Sequence, residues 1–318
     1  MKDQYGREIE YLRISITQKC NLKCIYCSPG GIKSRTQCSA LTAEEFEKVV
    51  RSMAMVGIHK VRLTGGEPLT RADVCQIIER IAIVPGIQDI SMTTNGINLG
   101  KIAGKLKAAG LLRLNISLDS LKADRFNYLT GGGKLADTLQ GIEKALEVGL
   151  TPIRINTVLI KGVNEDEIDD FIHLAKDKPL EVRFIELMPI GRFGEENPDK
   201  IVYNSEIVQA RPELIFCEDS LKGHPATYYK IEGYRGKIGF ISPMSHKFCA
   251  SCNRIRLTCD GKIKPCLGNN GEVNIINILR QNPDRLDTAV RKAIFEKPRC
   301  HHFESGYSST RNMNMIGG

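Results

Sequence analysis

Strand-like and helix-like patterns alternate through the first 190 residues, and this alternation constrains the fold more than any other sequence feature. Repeated strand–helix units predict parallel strands joined by right-handed crossovers. Six such units favour a partial (β/α)6 barrel over a complete eight-unit barrel. The predicted strands are 12–17, 60–64, 89–94, 111–119, 152–160 and 181–188, and the predicted helices are 42–56, 72–83, 100–109, 135–148 and 165–176. A capping box, Thr42 with Glu45, marks the start of the first helix.

Several of these predicted strands alternate polar with apolar residues. Arg13, Arg62, Asn115 and Arg154 each stand between two apolar neighbours. Alternate side chains of a strand point to opposite faces, and helices on the outer face of a parallel sheet bury its apolar side chains. We therefore expect the polar set to line a hydrated or ligand-filled lumen. An ordinary sheet with one solvated face is the alternative at this stage.

The pattern changes after residue 190. Residues 191–198 are rich in glycine and acidic residues and are predicted to be a linker, and the tail, 311–318, is predicted to be mobile. Strands are predicted at 227–231 and 237–241, and helices at 273–279 and 286–295. The sequence thus predicts a barrel domain over 1–190 and a second region over 191–318.

Composition excludes several classes of protein. Lys and Arg number 45 against 37 Asp and Glu, a net charge of +8 that suits an anionic small molecule as well as nucleic acid. The chain has no Trp and only 6% aromatic residues, which weakens a base-stacking interpretation. The N-terminus is too polar for a secretory signal, and no apolar run is long enough to span a membrane. We expect a cytoplasmic protein that binds neither nucleic acid nor a membrane.

Eleven cysteines in such a chain predict metal or cluster ligands, or redox sites, because a reducing cytosol disfavours disulfides. Cys20, Cys24 and Cys27 form C-x3-C-x2-C directly after the first predicted strand. Three thiolates on one loop can bind three irons of a [4Fe–4S] cluster and leave the fourth iron open. A structural zinc site needs four closed ligands, and the nearest further cysteine is Cys38. The spacing, with Tyr26 before the last cysteine, resembles the radical S-adenosylmethionine (SAM) superfamily.

The second predicted strand ends in Thr64-Gly-Gly-Glu-Pro68. Adjacent glycines allow a ligand to approach the backbone closely, and Glu67 lies at the carboxyl end of a strand, where barrel sites lie. By itself this segment is also compatible with a plain strand–helix turn. Together with the cysteine loop it resembles the superfamily segment that receives the aminopropyl end of SAM.

A second set of cysteines, Cys249, Cys252 and Cys266, has the spacing C-x2-C-x13-C. It predicts a second cluster with one open iron, although Cys259 could instead complete a four-cysteine zinc site. Arg254 and Arg256 follow two residues apart, so in extended backbone both point to one side, as anion-binding donors would.

Nearly the whole sequence resembles the GTP 3′,8-cyclase family of molybdenum-cofactor biosynthesis. The similar segments are 11–15, 60–68, 93–96, 115–120, 183–188, 248–257 and 316–318. The resemblance implies a partial (β/α)6 TIM-type radical SAM barrel with a SAM-bound cluster, and a C-terminal region that carries a second iron–sulfur cluster and binds GTP. The implied reaction converts GTP into (8S)-3′,8-cyclo-7,8-dihydroguanosine 5′-triphosphate, the first step of the molybdenum-cofactor pathway. Its implied cofactors are two [4Fe–4S] clusters and SAM.

The resemblance also implies site residues. Cys20, Cys24 and Cys27 match ligands of the first cluster, and Cys249, Cys252 and Cys266 match ligands of the second. Residues that match SAM contacts are Tyr26, Gly66, Glu67, Ser117 and Met188. Residues that match GTP contacts are Arg13, Arg62, Thr93, Arg154, Arg183, Arg254, Ile255 and Arg256. Catalytic roles are implied for Arg254, Arg256, Gly317 and Gly318. Arg154 stands where the family often has lysine, which replaces a point charge with a planar fork.

Such an enzyme needs an electron donor, for example a flavodoxin or ferredoxin, and a downstream pterin-forming enzyme is expected to take the product. A monomer and a homodimer are both compatible with the sequence. Two alternatives remain open at this stage. One is a radical SAM enzyme with an auxiliary cluster that modifies a peptide. The other is a zinc-bearing nucleic-acid-binding protein.

Overall fold

Six parallel strands form the centre of the molecule and follow one another in chain order. The computed structural model describes residues 1–27, 41–218, 225–303 and 307–317. The strands are β1 (Tyr11–Ser15), β2 (Lys60–Thr64), β3 (Asp89–Thr94), β4 (Arg113–Ser117), β5 (Ile153–Leu159) and β6 (Leu180–Glu186). Each lies within one or two residues of its predicted position, and each pairs in parallel with the next.

Helices connect these strands. They are α1 (Ala43–Met55), α2 (Val74–Ala82), α3 (Leu99–Ala108), α4 (Ala123–Thr130), α5 (Leu135–Glu147) and α6 (Ile168–Asp177). The predicted capping box is present: the Glu45 amide donates to Thr42 Oγ1 at 3.2 Å, and the Thr42 amide donates to the Glu45 carboxylate at 2.9 Å. Helix α4 was not predicted. Residues 165–167 form a 3-10 turn, so α6 begins three residues later than the sequence suggested.

The C-terminal region extends both edges of this sheet. It contains α7 (Gly191–Glu196), α8 (Asn204–Gln209), β7 (Ile215–Phe216), β8 (Ala226–Lys230), β9 (Lys237–Ile241), β10 (Arg254–Leu257), β11 (Lys262–Lys264), β12 (Val273–Asn274), α9 (Ile276–Gln281), α10 (Leu286–Phe295) and α11 (Met313–Ile316). Strand β10 pairs in parallel with β1, and β9 pairs in parallel with β6. The strand order is β12-β11-β10-β1-β2-β3-β4-β5-β6-β9-β8-β7. The division at residue 190 stays a prediction, and one sheet runs across it.

Three sequence-based predictions for this region were wrong. Residues 191–196 form α7 and not a linker, because Gly194 packs so closely against the Met188 carbonyl that only glycine fits. The segment 273–279 is not helical throughout: β12 pairs with β11 before α9 begins. The described part of the tail is ordered, with Ile316 buried at 1% exposure in a small apolar cluster with Ile190 and Phe303.

The main hydrophobic core lies between the outer face of the sheet and the helices. Leu12 and Ile14 of β1 and Val61 and Leu63 of β2 are fully buried there, with the apolar faces of the helices packed against them. The residues that alternate with them face the opposite side of the sheet. No helix in the described ranges is both long enough and apolar enough to cross a membrane.

Candidate active site

A cavity of about 420 Å³ lies on the inner side of the sheet. Side chains from all six central strands and from β8, β9 and β10 line it. Neighbouring strands can share one cavity in this way only if the sheet curves around it, as in a partial barrel. Arg13, Arg62 and Arg154 all line this cavity, as the period-two pattern predicted. Asn115, which the pattern placed with them, accepts a hydrogen bond from the cavity residue Arg183. The alternative of an ordinary sheet with one solvated face is therefore wrong.

The first set of cysteines lies at the carboxyl end of β1. Cys20, Cys24 and Cys27 are each partly buried, and all three line the cavity. Burial raises the pKa of Cys24 well above its usual value and that of Cys27 to about 12, with further increases from neighbouring cysteines. Three partly buried thiols with raised pKa values are thus poorly disposed to ionise. A bound iron–sulfur cluster would offset that penalty, and the set fits such a group.

The Gly65-Gly66 pair packs directly against this cysteine loop. A Cβ on Gly66 would lie 2.3 Å from the Lys19 carbonyl oxygen, and the Glu67 amide donates to the same oxygen at 2.8 Å. The glycines therefore allow the end of β2 to lie against the loop that carries Cys20. This contact brings the two predicted SAM segments together at one end of the cavity.

The Glu67 carboxylate is held in a fixed orientation. It is buried at 1% exposure and accepts hydrogen bonds from Thr94 Oγ1 at 2.7 Å, the Asn95 amide at 2.7 Å and the Leu69 amide at 3.0 Å. Burial raises the pKa of Glu67, although these donors act in the opposite direction. Glu67 and Gly66 both line the cavity, beside the first cysteine set.

Tyr26 is held by a second buried carboxyl group. Its hydroxyl donates to Asp119 at 2.7 Å, and the other oxygen of Asp119 accepts the Val158 amide at 2.9 Å. Burial raises the pKa of Asp119 to about 6. Ser117 and Met188, the remaining predicted SAM contacts, also line the cavity.

A group of arginines on three neighbouring strands forms part of the cavity wall. Strand register places Arg13 between Arg62 on β2 and Arg256 on β10, with Arg254 two residues before Arg256. Within the described ranges, none of these four arginines forms a salt bridge. Burial, together with the like charges of its neighbours, lowers the pKa of Arg256 to about 9 and that of Arg62 well below its usual value. A wall of this kind favours an anionic ligand.

Arg154 and Arg183 differ from this group because each already has a protein partner. Arg154 donates to Glu181 at 2.6 Å, and Tyr228 donates to the same carboxylate at 2.7 Å. Arg183 donates to the side-chain oxygens of Asn156 and Asn115 at 2.6–2.9 Å. Both arginines line the cavity, so their predicted contact with GTP stays a prediction.

Two further predicted GTP contacts, Thr93 and Ile255, lie on different sides of the sheet. Thr93 lines the cavity, and its buried hydroxyl has no hydrogen-bond partner among the described residues. Ile255 has its side chain in the hydrophobic core, on the other face of β10. Any contact of Ile255 with a ligand would therefore be through its backbone.

The second set of cysteines opens into the same cavity. Cys249, Cys252 and Cys266 line it, whereas Cys259 does not and is buried at 2% exposure. Burial alone would raise the pKa of Cys252, but the positive charges of Lys297, Arg254 and Arg7 lower it below its usual value. Three cavity-facing thiols with cations nearby fit a cluster that leaves one iron free.

No group of three His, Cys, Asp or Glu side chains in the described part of the chain is placed to hold a single metal ion. This finding contradicts a closed four-cysteine zinc site built on Cys259. It does not apply to a four-iron cluster, because each thiolate of such a cluster binds a different iron.

Family models match both parts of the chain. The model described as Radical SAM superfamily matches residues 14–175, and the one described as Molybdenum Cofactor Synthesis C matches residues 180–303. The GTP 3′,8-cyclase of Alkaliphilus oremlandii (strain OhILAs) is 47% identical over 321 residues, which cover 100% of both chains. That of Moorella thermoacetica (strain ATCC 39073 / JCM 9320) is 44% identical over 325 residues, again covering 100% of both. The chain belongs to the GTP 3′,8-cyclase family.

Solved structures with similar folds agree with the radical SAM assignment. Streptococcus suis SuiB bound to S-adenosylmethionine has a TM-score of 0.59 at 16% identity, covering 87% of this chain and 65% of that one. Native anSMEcpe with bound AdoMet has a TM-score of 0.57 at 15% identity, covering 92% and 82%. At these identities the likeness shows the fold alone. Membership of the cyclase family favours that function over the peptide-modifying alternative.

The C-terminal tail of this family member reaches the cavity wall. Arg256 donates to the carbonyl oxygens of Ile316, at 3.0 Å, and Gly317. Gly317 has φ +74°, and a Cβ there would lie 2.4 Å from Cγ2 of Thr64. Gly318, for which a catalytic role was predicted, lies outside the described residues, as does Cys38.

Several cavity residues of this cyclase were missed at the sequence level. Tyr11, Lys60, Tyr228, Asn253 and Asn314 all line the site. Tyr11 and Lys60 could have been found, because each lies two residues before a predicted arginine, Arg13 on β1 or Arg62 on β2, and so shares its face of the strand. The others depend on strand register and on contacts between distant parts of the chain.

Proposed function

We propose that this protein is a radical SAM GTP 3′,8-cyclase. The proposed reaction removes a hydrogen atom from C3′ of GTP and closes a bond from C3′ to guanine C8, which begins molybdenum-cofactor synthesis. The observation that carries the proposal is a single cavity with two sets of three cysteines and, between them, four arginines that form no salt bridge within the described ranges. This arrangement suits two clusters and one polyanionic nucleotide.

In this proposal, one set of cavity residues binds SAM and its cluster, and a second set binds GTP. Cys20, Cys24 and Cys27 would hold the [4Fe–4S] cluster that supplies the electron for cleaving SAM to methionine and a 5′-deoxyadenosyl radical. Glu67 and Tyr26, both fixed by hydrogen bonds, would orient SAM beside them. The buried carboxylate of Glu67 suits the ammonium group at the aminopropyl end of SAM.

In the second set, Cys249, Cys252 and Cys266 would hold a second cluster with one free iron for guanine. Arg13, Arg62 and Arg254 would bind the triphosphate and fix the distance between C3′ and the SAM end of the cavity. Such positioning lowers the barrier because the reacting atoms no longer lose translational and rotational freedom in the transition state. The enclosing sheet would also keep water away from a carbon radical.

Several features of the proposed enzyme rest on sequence alone. It needs a small electron-donor protein, such as a flavodoxin or ferredoxin, and a pterin-forming enzyme to take its product. Eleven cysteines suit a reducing compartment, so a cytoplasmic location is part of the proposal. The proposal is compatible with a monomer and with a homodimer.

The deciding experiment is anaerobic purification followed by iron, sulfide and zinc analysis and a single-turnover assay. We expect about eight irons per chain, the content of two four-iron clusters. With SAM, GTP and a chemical reductant, the assay should yield 5′-deoxyadenosine and a cyclised nucleotide in equal amounts. Stoichiometric zinc, or SAM cleavage that gives no cyclised nucleotide, would contradict the proposal.

A further inference from the structure

Tyr11 contributes a buried hydroxyl group to the cavity. It is the first residue of β1 and is 7% exposed. Its side chain lines the cavity, and its hydroxyl oxygen has no hydrogen-bond partner in the described part of the chain. Because a buried polar group without a partner destabilises a protein, a tyrosine in this position points to a ligand that completes the bond.

The register of the sheet surrounds Tyr11 with positive charge. On one side it pairs with Arg254 of β10, and on the other with Lys60 of β2. The next inward-facing row consists of Arg256, Arg13 and Arg62. The Arg62 guanidinium carbon lies 5.3 Å from the centre of the Tyr11 ring. Four arginines therefore lie around Tyr11 on the same face of three neighbouring strands, together with Lys60, whose amine pairs with Glu10 at 3.6 Å.

A second unpartnered donor lies on the same face of β1. Nε of Arg13, two residues along β1 on the same face, is buried and also has no hydrogen-bond partner among the described residues. Two unpartnered donors on one strand face, within a cluster of cations, suit oxygen acceptors that carry negative charge. Among the parts of a nucleoside triphosphate, only the phosphates have such oxygens, since the ribose and the base are uncharged.

We propose that the Tyr11 hydroxyl donates a hydrogen bond to a phosphate oxygen of the bound nucleotide, beside the contact made by Arg13. Tyr11 is then a substrate-binding residue that selects for the triphosphate. This inference rests on the proposed function, because it takes GTP as the ligand. The competing explanation is structural: the ring packs against Arg62, and its hydroxyl has no role.

Tyr11→Phe separates the two explanations, because it removes one oxygen atom and keeps the ring over Arg62. The reconstituted holoenzyme would be titrated anaerobically, with SAM bound, against GTP, inorganic tripolyphosphate and guanosine. We expect affinity for GTP and for tripolyphosphate to fall about tenfold, the effect of one hydrogen bond to a charged group. Guanosine affinity, iron content and the rate of SAM cleavage should not change. The midpoint of thermal unfolding should stay the same or rise, since the hydroxyl has no described protein partner to lose.

Tyr229→Phe is the matched control, since this ring packs between Phe216 and Phe240 and does not line the cavity. It should leave all three affinities unchanged. Unchanged GTP affinity in Tyr11→Phe would overturn the inference, and so would an equal loss for GTP and guanosine. A lower unfolding midpoint with no selective loss of tripolyphosphate would show a structural role. If instead the proposed function is wrong, the unmodified enzyme will form no cyclised nucleotide. The binding of tripolyphosphate would still test the role of Tyr11 in that case.

Discussion

Arg254 and Arg256 project from the same face of β10 but have different surroundings. Arg254 lies over the ring of Phe248, with 5.4 Å between its guanidinium carbon and the ring centre. Arg256 instead binds the carbonyl oxygens of the tail. Burial lowers the pKa of both. The pair was predicted from its spacing, but the sequence could not show that one arginine binds the tail and the other has no such contact.

Arg254→Ala should weaken GTP binding by about tenfold or more, because a charge-assisted hydrogen bond contributes ~1.5–3 kcal/mol. The double variant Arg254→Ala with Arg256→Ala should bind GTP more weakly still. SAM cleavage should continue in both, since neither arginine is a predicted SAM contact or a cysteine ligand. Arg51→Ala, on the exposed face of α1, is the control. Equal GTP affinity in the double variant and the unmodified enzyme would remove both arginines from the substrate site.

Glu67→Gln tests whether the carboxylate is a fixed acceptor. One carboxylate oxygen accepts the Asn95 amide, and the other accepts the Leu69 amide and the Thr94 hydroxyl. In the glutamine variant, an NH2 group replaces one of these oxygens, so at least one of the donors loses its acceptor. A buried donor left without an acceptor costs about 1–3 kcal/mol. We therefore expect a lower urea midpoint and weaker SAM binding, with both cysteine sets still able to take up iron. Glu165→Gln, whose half-buried side chain accepts two backbone amides of a local turn outside the cavity, serves for comparison. Unaltered stability and SAM affinity would show that Glu67 has neither role.

Individual cavity residues were predictable where a single strand supplied the information. Period-two alternation placed Arg13, Arg62 and Arg154 in the lumen without knowledge of neighbouring strands. The partner of Arg154, by contrast, depends on the pairing of β5 with β6, which places Glu181 opposite it. Hydrogen bonds between strands therefore could not be read from the spacing of residues along one strand.

At the scale of elements, the six central strands were predicted because short segments with strand-like patterns, several of them alternating polar with apolar residues, stand between helix-like patterns. Helix α4 was missed because it is only eight residues long and buries only two large apolar side chains, Phe126 and Leu129, although Gly131 ends it in the left-handed conformation. Helix α7 was taken for a linker because its glycines were interpreted as flexible, whereas Gly194 serves close packing. The pairing of β10 with β1 joins residues more than 240 positions apart, and no local pattern indicates such a contact.

A substitution at Gly317 tests the role of the C-terminal tail directly. Gly317 adopts a left-handed φ of +74° and lies against Thr64, at the end of β2. Gly317→Ala would place a methyl group 2.4 Å from the Thr64 side chain, so the tail must move and the Arg256 contact must weaken. Cyclised product per turnover should fall by about tenfold or more, equivalent to ~1.4 kcal/mol of transition-state stabilisation. Iron content and SAM binding should be unchanged.

Gly233→Ala provides a matched control for this substitution. Gly233 has φ +79°, but a Cβ there meets nothing within 4 Å, so the backbone strain is similar and the steric clash is missing. Deletion of Gly317 and Gly318, or a C-terminal tag, should reproduce the loss. If Gly317→Ala and Gly233→Ala gave the same yield of cyclised nucleotide, the tail contact would have no part in turnover.

At the scale of the whole molecule, the two ends of the chain meet around the second set of cysteines. Arg7 is buried, pairs with Asp3, and donates to the carbonyl oxygens of Cys249, at 2.9 Å, Pro298, at 2.7 Å, and Arg299, at 2.9 Å. Lys297 donates to the Pro265 carbonyl, next to Cys266. The N-terminal segment therefore helps to fix the loop that carries Cys249, while Lys297 of the C-terminal region fixes the one that carries Cys266. The site belongs to the whole chain and not to one segment.

The same architecture predicts that residues 1–190 do not fold alone. Without the C-terminal region, β1 loses β10, β6 loses β9, and α1 loses α10, which packs against it. Two long sheet edges would then be exposed, and unpaired edges promote aggregation. We expect the isolated 1–190 fragment to be insoluble or to unfold without a cooperative transition, as measured by circular dichroism against temperature. Co-expression with a 191–318 fragment should restore a soluble, cluster-binding complex, because the pairing surfaces are then present together. A monomeric 1–190 fragment that took up about four irons and cleaved SAM would contradict this, and would show that the first site is complete without the second region.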